Sequence, residues 1–196
     1  MKIEFKEFPK TPRLSRECII TEKIDGTNSC VLIQNGEIIK VGSRNGWLSL
    51  GHDSTGLVHF VEERKETFLQ LGDGLHYGEF WGRDIRHSYS SKEQHFSLFD
   101  AHRWCNAWDE PIRYSETQIQ EKLPVGLQTV PVLYRGLFDT AKVDECIEML
   151  KVNGSLLSQP KKIEAEGVII YHIDGDVAFK KTLRNDDKPK LQVNGK

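Results

Sequence analysis

The chain has almost no net charge, no paired cysteines, no long apolar run and no strand–helix–strand rhythm. Each absence removes a class of protein. Its 27 Lys+Arg against 29 Asp+Glu leave a formal charge of −2. A uniformly basic nucleic-acid binder is thereby excluded, and any contact with a polyanion must come from local patches. The four cysteines, Cys18, Cys30, Cys105 and Cys146, form no CxxC pair and no regular spacing. They argue against zinc and against a disulfide framework, and fit a reducing cytosol. No apolar run reaches the roughly 20 residues that cross a bilayer, and no secretory n-region and h-region opens the sequence. A cytoplasmic protein is the expectation. No internal repeat or low-complexity tract is visible.

What is present suffices for one modest core. Hydrophobic residues make up 38% and charged residues 29%, too apolar a mix for disorder. The length suits one large domain or two very small ones. We expect a single domain over residues 1–196, with about 185–196 as a flexible basic tail. Positive charge gathers at both ends. Lys2, Lys6, Lys10, Arg13 and Arg16 lie near the start, and Lys180, Lys181, Arg184, Lys188, Lys190 and Lys196 near the finish. Two basic ends on a neutral body can frame a polyanion.

Apolar segments separated by glycine and asparagine turns read as hairpins. Residues 18–20 lead into a first strand, 29–34 form the next, Asn35-Gly36 turns, and 37–42 return. Residues 43–51, polar and glycine-rich, read as a loop. Residues 56–71 carry apolar side chains at helical spacing, with Gly72 as a cap. Strands are expected at 75–81 and 94–101, a short polar helix at 114–123, and a proline-containing strand at 128–133. An amphipathic helix at 140–152 stops at Asn153-Gly154. A last hairpin pairs 165–172 with 176–181 around Asp174-Gly175. The fold class is α+β: antiparallel β-sheets with flanking helices.

The most informative stretch is residues 21–28, Thr-Glu-Lys-Ile-Asp-Gly-Thr-Asn. Lys23 sits in an apolar run between two carboxylates and just ahead of a glycine. A nucleophilic lysine must be tuned from a pKa of about 10.4 to about 7–8, a difference of roughly 4 kcal/mol. Burial and neighbouring cations can supply it. Asp25 is a partner for a metal or for the ammonium, and Gly26 lets backbone approach a ligand. The plain alternative is a strand ending in an Asp-Gly turn with Lys23 in water.

Further loaded segments follow at the ends of predicted strands. Arg44, in Gly42-Ser43-Arg44-Asn45-Gly46, can meet phosphate, or simply mark a surface turn. Glu79, among Tyr77, Phe80 and Trp81, can accept from ribose hydroxyls, or be a hydrogen-bonded structural acid. Phe99 can stack on a base, or belong to a core strand. Glu166 can hold a hard cation through oxygen. Lys180 and Lys181 can neutralise an α-phosphate as pyrophosphate leaves. A charged strand end is the alternative for these last three.

In this order the segments resemble the covalent nucleotidyltransferase superfamily of ATP-dependent ligases and mRNA capping enzymes. Lys23-Ile24-Asp25-Gly26 resembles its KxDG motif I, Gly78–Gly82 motif III, Phe96–Asp100 motif IIIa, Glu166–Ile169 motif IV and Phe179-Lys180-Lys181 motif V. With Ser43-Arg44-Asn45-Gly46, residues 21–28 look most like the RNA ligase 2-type branch, catalytic domain only. The resemblance covers about residues 20–182. It implies the ligase and capping-enzyme nucleotidyltransferase fold, which is ATP-grasp-like. It also implies an ATP-dependent RNA ligase, used in RNA repair, that joins a 3′-hydroxyl to a 5′-phosphate through lysyl-AMP and adenylylated RNA.

By that resemblance Lys23 takes the adenylate. Glu22 reads the adenine edge, Ile24 lines the nucleotide site, Glu79 reads the ribose and Phe99 stacks on the adenine. Asn28 and Arg44 handle phosphate or the RNA end. Glu166, with Asp25, binds Mg2+ or Mn2+, and Lys180 or Lys181 contacts the α-phosphate. The family's motif V is K-x-K, whereas these lysines are adjacent; strand alternation favours Lys180, with Ala178 on its face. No C-terminal OB-fold or accessory domain is expected, and an accessory protein in its place is among the expected partners. The alternatives are a DNA nick ligase, a capping-type guanylyltransferase, or a non-catalytic nucleic-acid end-binding protein. No histidine spacing suggests a metal site.

Overall fold

β-branched and aromatic residues alternate with small polar ones along most of the chain, and short glycine turns fold the segments back on themselves. The computed structural model describes residues 7–8, 10–86, 88–158 and 161–184. Lys2, Lys6, Lys188, Lys190, Lys196 and the expected tail at 185–196 lie outside the described residues. In chain order the strands are β1 (Glu17–Lys23), β2 (Thr27–Gln34), β3 (Glu37–Ser43), β4 (Gly46–Trp47), β5 (Gly74–Gly82), β6 (Gln94–Leu98), β7 (Trp104–Cys105), β8 (Glu121–Lys122), β9 (Gln128–Thr129), β10 (Val132–Leu137), β11 (Gly167–His172) and β12 (Val177–Thr182). The helices are α1 (Leu57–Glu63), α2 (Lys65–Leu69) and α3 (Thr140–Asn153).

Two sheets carry the fold. One has four strands in the order β10-β1-β11-β12, the other six in the order β4-β3-β2-β5-β6-β9. All neighbours within them are antiparallel except β6 and β9. Each sheet buries its outer face under helix. Val143, Ile147 and Leu150 of α3 pack on Cys18, Ile20, Val168 and Ile170 of the smaller sheet. Phe60 and Phe68 of the α1–α2 arm pack on Phe80 and Phe96 of the larger one, with ring centroids 5.1–5.4 Å apart. The inner faces look toward each other.

Local chemistry explains the boundaries. Asn35 and Gly36 have φ of 55° and 70°, the left-handed pair that closes a two-residue hairpin. The Asp73 carboxylate accepts both of their N–H groups, at 2.8 and 3.1 Å. Asp139 caps α3 by accepting from Ala141 N at 2.8 Å, and Gly154, at φ 75°, ends it. The helix expected at 56–71 is two short ones, broken where Arg64 leaves helical geometry at φ −114°, ψ 22°. The loop expected at 43–51 contains β4 and a single 3-10 turn, Leu50–His52.

Residues 114–123 do not form the expected polar helix. Ser115 Oγ accepts from Gln118 N at 3.0 Å, and Tyr114 N donates to Gln118 O at 3.0 Å. Gln120 is buried, with its amide committed to Ala101 O at 2.7 Å and Ile112 N at 3.1 Å. Side-chain-to-backbone bonds of this kind compete with helix and win here. The segment instead reaches β8, which pairs in parallel with β7.

The chain changes sheets at two places that matter. Between β1 and β2 only Ile24-Asp25-Gly26 intervene, so the lysine motif is the link between the sheets. Val130-Pro131 makes the return crossing, which splits the strand expected at 128–133. Pro131 has no N–H to offer a ladder, while its carbonyl takes Glu22 N at 2.8 Å. No helix among the described residues is long and apolar enough to cross a membrane.

Candidate active site

Strand alternation sends Lys23, the last residue of β1, toward the inner face with Ile19 and Thr21. Across the gap, β2 and β5 present Asn28 and Glu79, which stand directly opposite each other in register. Between the sheets lies a cleft of about 850 Å³. Lys23, Ile24, Asn28, Arg44, Glu79 and Phe99 all line it, alongside Ile169 and Ala178 of the opposite hairpin. With Glu22, which also lines it, seven of the residues singled out in the sequence therefore meet in one cavity, drawn from both sheets.

Gly26 sets the depth of the link. A Cβ there would sit 2.4 Å from Phe80 O, closer than any side chain tolerates. The bare backbone lets Gly26 N donate to Glu79 Oε1 at 3.0 Å. Glu79 is 9% exposed, and burial lifts its pKa to about 7. The Gly26 N–H and the charge of Lys23 pull the other way, the nearby Glu166 pushes further up, and Arg44 pulls down. Near neutral pH the carboxyl is therefore poised between donor and acceptor, a useful state for meeting hydroxyls.

The Lys23 ammonium is held by the Glu166 carboxylate. Both side chains are partly exposed, at 23% and 34%. Glu166 lies just before β11, whose Gly167 pairs with Lys23. Gly167, at φ 153°, would drive a Cβ to 2.2 Å from Lys181 O, so glycine is required where β11 crosses β12. Glu166 and Asp25 share a smaller adjoining pocket of about 200 Å³ with Glu164, Thr182 and Arg184. Asp25 Oδ1 accepts from Arg86 Nη1 at 3.3 Å, and Asp25 N donates to Tyr89 Oη at 2.7 Å.

The family model for RNA ligase matches residues 16–183. The chain belongs to the RNA ligase family. No curated protein matches it. Among solved structures, a ligand-free mutant of Naegleria gruberi RNA ligase superposes with a TM-score of 0.56 at 21% identity, over 86% of this chain and 50% of that one. A second Naegleria gruberi mutant, with AMP and Mn, gives 0.54 at 21% over the same shares. The Naegleria gruberi enzyme with PPi gives 0.54 at 20%, again over 86% and 50%. The chain spans about half the length of these structures, and at this identity the likeness is one of fold.

Within this RNA ligase fold, two of the predicted residues have their charged ends engaged by other partners. Glu22 alternates with Lys23, so its carboxylate points to the α3 side of the sheet. It accepts from Leu156 N at 2.9 Å and is 1% exposed. Burial raises its pKa, against the lowering effect of Ser155 and the Leu156 N–H. Glu22 itself still lines the cleft.

Lys181 leaves the site, because its Nζ pairs with Asp144 Oδ1 of α3 at 2.6 Å. Lys180 stands opposite Ile169 in the β11–β12 register, on the face where Ile169 and Ala178 meet the cleft.

Other contributors gave no signal in the sequence. Tyr89, buried in a loop, bonds Asp25 N; burial pushes its phenol well up, so the hydroxyl stays protonated. His102, Gln118 and Ile119 form part of the far end of the cleft. The last two sit in the segment that the sequence pattern assigned to a helix.

Proposed function

We propose that this chain is the nucleotidyltransferase unit of an ATP-dependent RNA ligase, one domain over the described residues. The observation that carries the reading is the placement of Lys23, with its Glu166 partner, at the wall of a nucleotide-sized cleft lined from the facing sheet by Glu79, Asn28, Arg44 and Phe99. ATP is the proposed nucleotide, and RNA with 3′-hydroxyl and 5′-phosphate ends the proposed substrate.

Lys23 must leave Glu166 and lose a proton before its amine can attack. The Nζ–P bond then forms as the bond from Pα to the bridging oxygen breaks, and pyrophosphate departs. Lys180 is placed to meet phosphate charge on that face. Phe99 offers a ring to the adenine and Glu79 a carboxyl to the ribose. In the next step an RNA 5′-phosphate oxygen takes the adenylate and returns the amine to Lys23. A 3′-hydroxyl oxygen, giving up its proton, then bonds to the RNA 5′-phosphate phosphorus as the bond from that phosphorus to the adenylate breaks, and AMP leaves. Arg44, exposed, and Asn28, half-buried, are bonded through Arg44 N to Asn28 O at 3.1 Å, and we assign them to the incoming end.

A divalent cation fits this arrangement on a simple ground. Among the described residues no group of three or more His, Cys, Asp or Glu side chains is arranged to hold a metal ion by itself. The protein offers the two carboxylates of Glu166 and Asp25 on one small pocket. Mg2+ takes one or two carboxylates and fills its shell with phosphate and water oxygens, with Mn2+ an acceptable substitute. When bound, the ion neutralises phosphate charge as the nucleophile approaches.

The test is intact mass after incubation with ATP and Mg2+ or Mn2+. A gain of one adenylate that survives alkali and is lost in acid, as a phosphoramidate requires, is the expected result. No gain with either ion overturns the reading. A guanylate gain from GTP would instead point to capping chemistry.

A further inference from the structure

The inner face of the larger sheet does not end at the cleft. One row of residues beyond Asn28 and Glu79, the register runs Gly42–Cys30–Tyr77 across β3, β2 and β5. Phe99 continues it, since Phe99 N donates to Tyr77 O at 3.0 Å. Gly42 has no side chain, and its place is taken by the Trp47 ring. A Cβ on Gly42 would meet Trp47 and the Cys30 sulfur, both at 3.0 Å. Three aromatic rings, Trp47, Tyr77 and Phe99, therefore stand in one row on the same face. They are 53%, 51% and 37% exposed. Arg44 flanks this row on the catalytic side. Lys40 flanks it on the other, facing the same way as Leu32 by register. Neither cation forms a salt bridge with a described residue.

We propose that Trp47 and Tyr77 form a stacking platform for the bases of a single-stranded RNA end, with Lys40 and Arg44 on its phosphates. The proposal rests on RNA as the substrate. Tyr77 and Phe99 line the nucleotide cleft and Trp47 extends the row beyond it, so the platform leads a strand toward Lys23. Rings in series with flanking cations, and no base-reading polar groups among them, suit sequence-tolerant binding of single strands. A duplex would hide the base faces that such rings require. The packing of Trp47 on a cleared Gly42 holds one ring against the sheet rather than leaving it as a loose surface side chain.

The experiment measures binding of a short single-stranded oligoribonucleotide to the full chain by anisotropy, alongside adenylate adduct formation. Trp47→Leu and Tyr77→Leu keep apolar bulk but remove the ring, and both sites are exposed enough to leave folding intact. Each is expected to weaken binding about 5-fold or more, the measured range for loss of one base–aromatic stack. Trp47→Phe restores a ring and is expected to bind within about 2-fold of the parent. Trp47→Leu, which does not line the nucleotide cleft, is expected to form its adduct normally. Equal binding by the Leu variants and the parent overturns the platform while leaving the ligase reading intact. Ring-dependent binding without any adduct supports the platform and sinks the ligase reading alone. A parent that binds no RNA overturns both. If Trp47→Leu alters self-association but not RNA binding, the face is a contact between copies and the proposal falls.

Discussion

Lys23 and Glu166 meet because Gly167 stands directly across from Lys23 in the β1–β11 ladder, which delivers the preceding carboxylate to the amine. This pairing ties up the amine until Glu166 finds another partner. Glu166→Ala is therefore expected to lower adduct formation by tenfold or more and to flatten its dependence on divalent concentration. Lys23→Ala is expected to abolish the adduct with an unfolding midpoint within a few degrees of the parent, since both side chains are partly hydrated. Intact mass and thermal unfolding check these outcomes. An adduct that persists in Lys23→Ala would assign the nucleophile elsewhere.

Glu79 links the site to stability. Its folded pKa of about 7 lies above the ordinary value of 4.5. The folded state therefore holds its proton more tightly than the unfolded chain. That contribution is fully present below about pH 4.5 and is lost as pH rises through about 7. The full effect is about 3 kcal/mol at most. Glu79→Gln, which cannot ionise, is expected to remove it. Urea midpoints of parent and variant should diverge between those pH values, with the parent losing more on the alkaline side. Parallel profiles would show that Glu79 titrates normally.

Gly26 is the test of the inter-sheet link. Gly26→Ala puts a Cβ against Phe80 O, an unyielding backbone atom. Overpacking of this kind destabilises by about 1–3 kcal/mol. It should also push Asp25 and Lys23 out of line and reduce adduct yield. Gly51→Ala meets nothing within 4 Å and serves as the control, with both readouts unchanged. Unchanged adduct yield in Gly26→Ala would free the link from its positioning role.

Much of this was legible from local chemistry. The Asn35-Gly36 turn and the stop of α3 at Gly154 depend on nearest neighbours, and the structure has both. The opposed placement of Glu22 and Lys23 was also legible, because adjacent strand residues face opposite ways. The family resemblance carries both toward the nucleotide, and both line the cleft. The failure at 114–123 has a different cause. The carbonyl of Ala101 that draws Gln120 away from helix comes from a distant loop, and no window of sequence contains it. The same holds for Tyr89, whose bond to Asp25 N spans the molecule, and for the aromatic row, which only sheet register assembles.

The two adjacent lysines of β12 give the sharpest discrimination. Alternation separates them: Lys181 goes to Asp144 on α3, and Lys180 to the face shared with Ala178 and Ile169. The Lys181 pair is exposed, at 40% and 64%, and such pairs contribute about 0–1 kcal/mol. Lys181→Ala is thus expected to shift stability slightly and leave adduct formation within about 2-fold of the parent. Lys180→Ala removes a cation from the phosphate side and is expected to reduce the adenylylation rate by tenfold or more at saturating ATP. Its stability should be unchanged, because Lys180 makes no ion pair with a described residue. Single-turnover adenylylation of the two variants decides the matter. If Lys181→Ala proves the slower enzyme, the strand must rotate on binding nucleotide, and the register seen here is not the one that performs the chemistry.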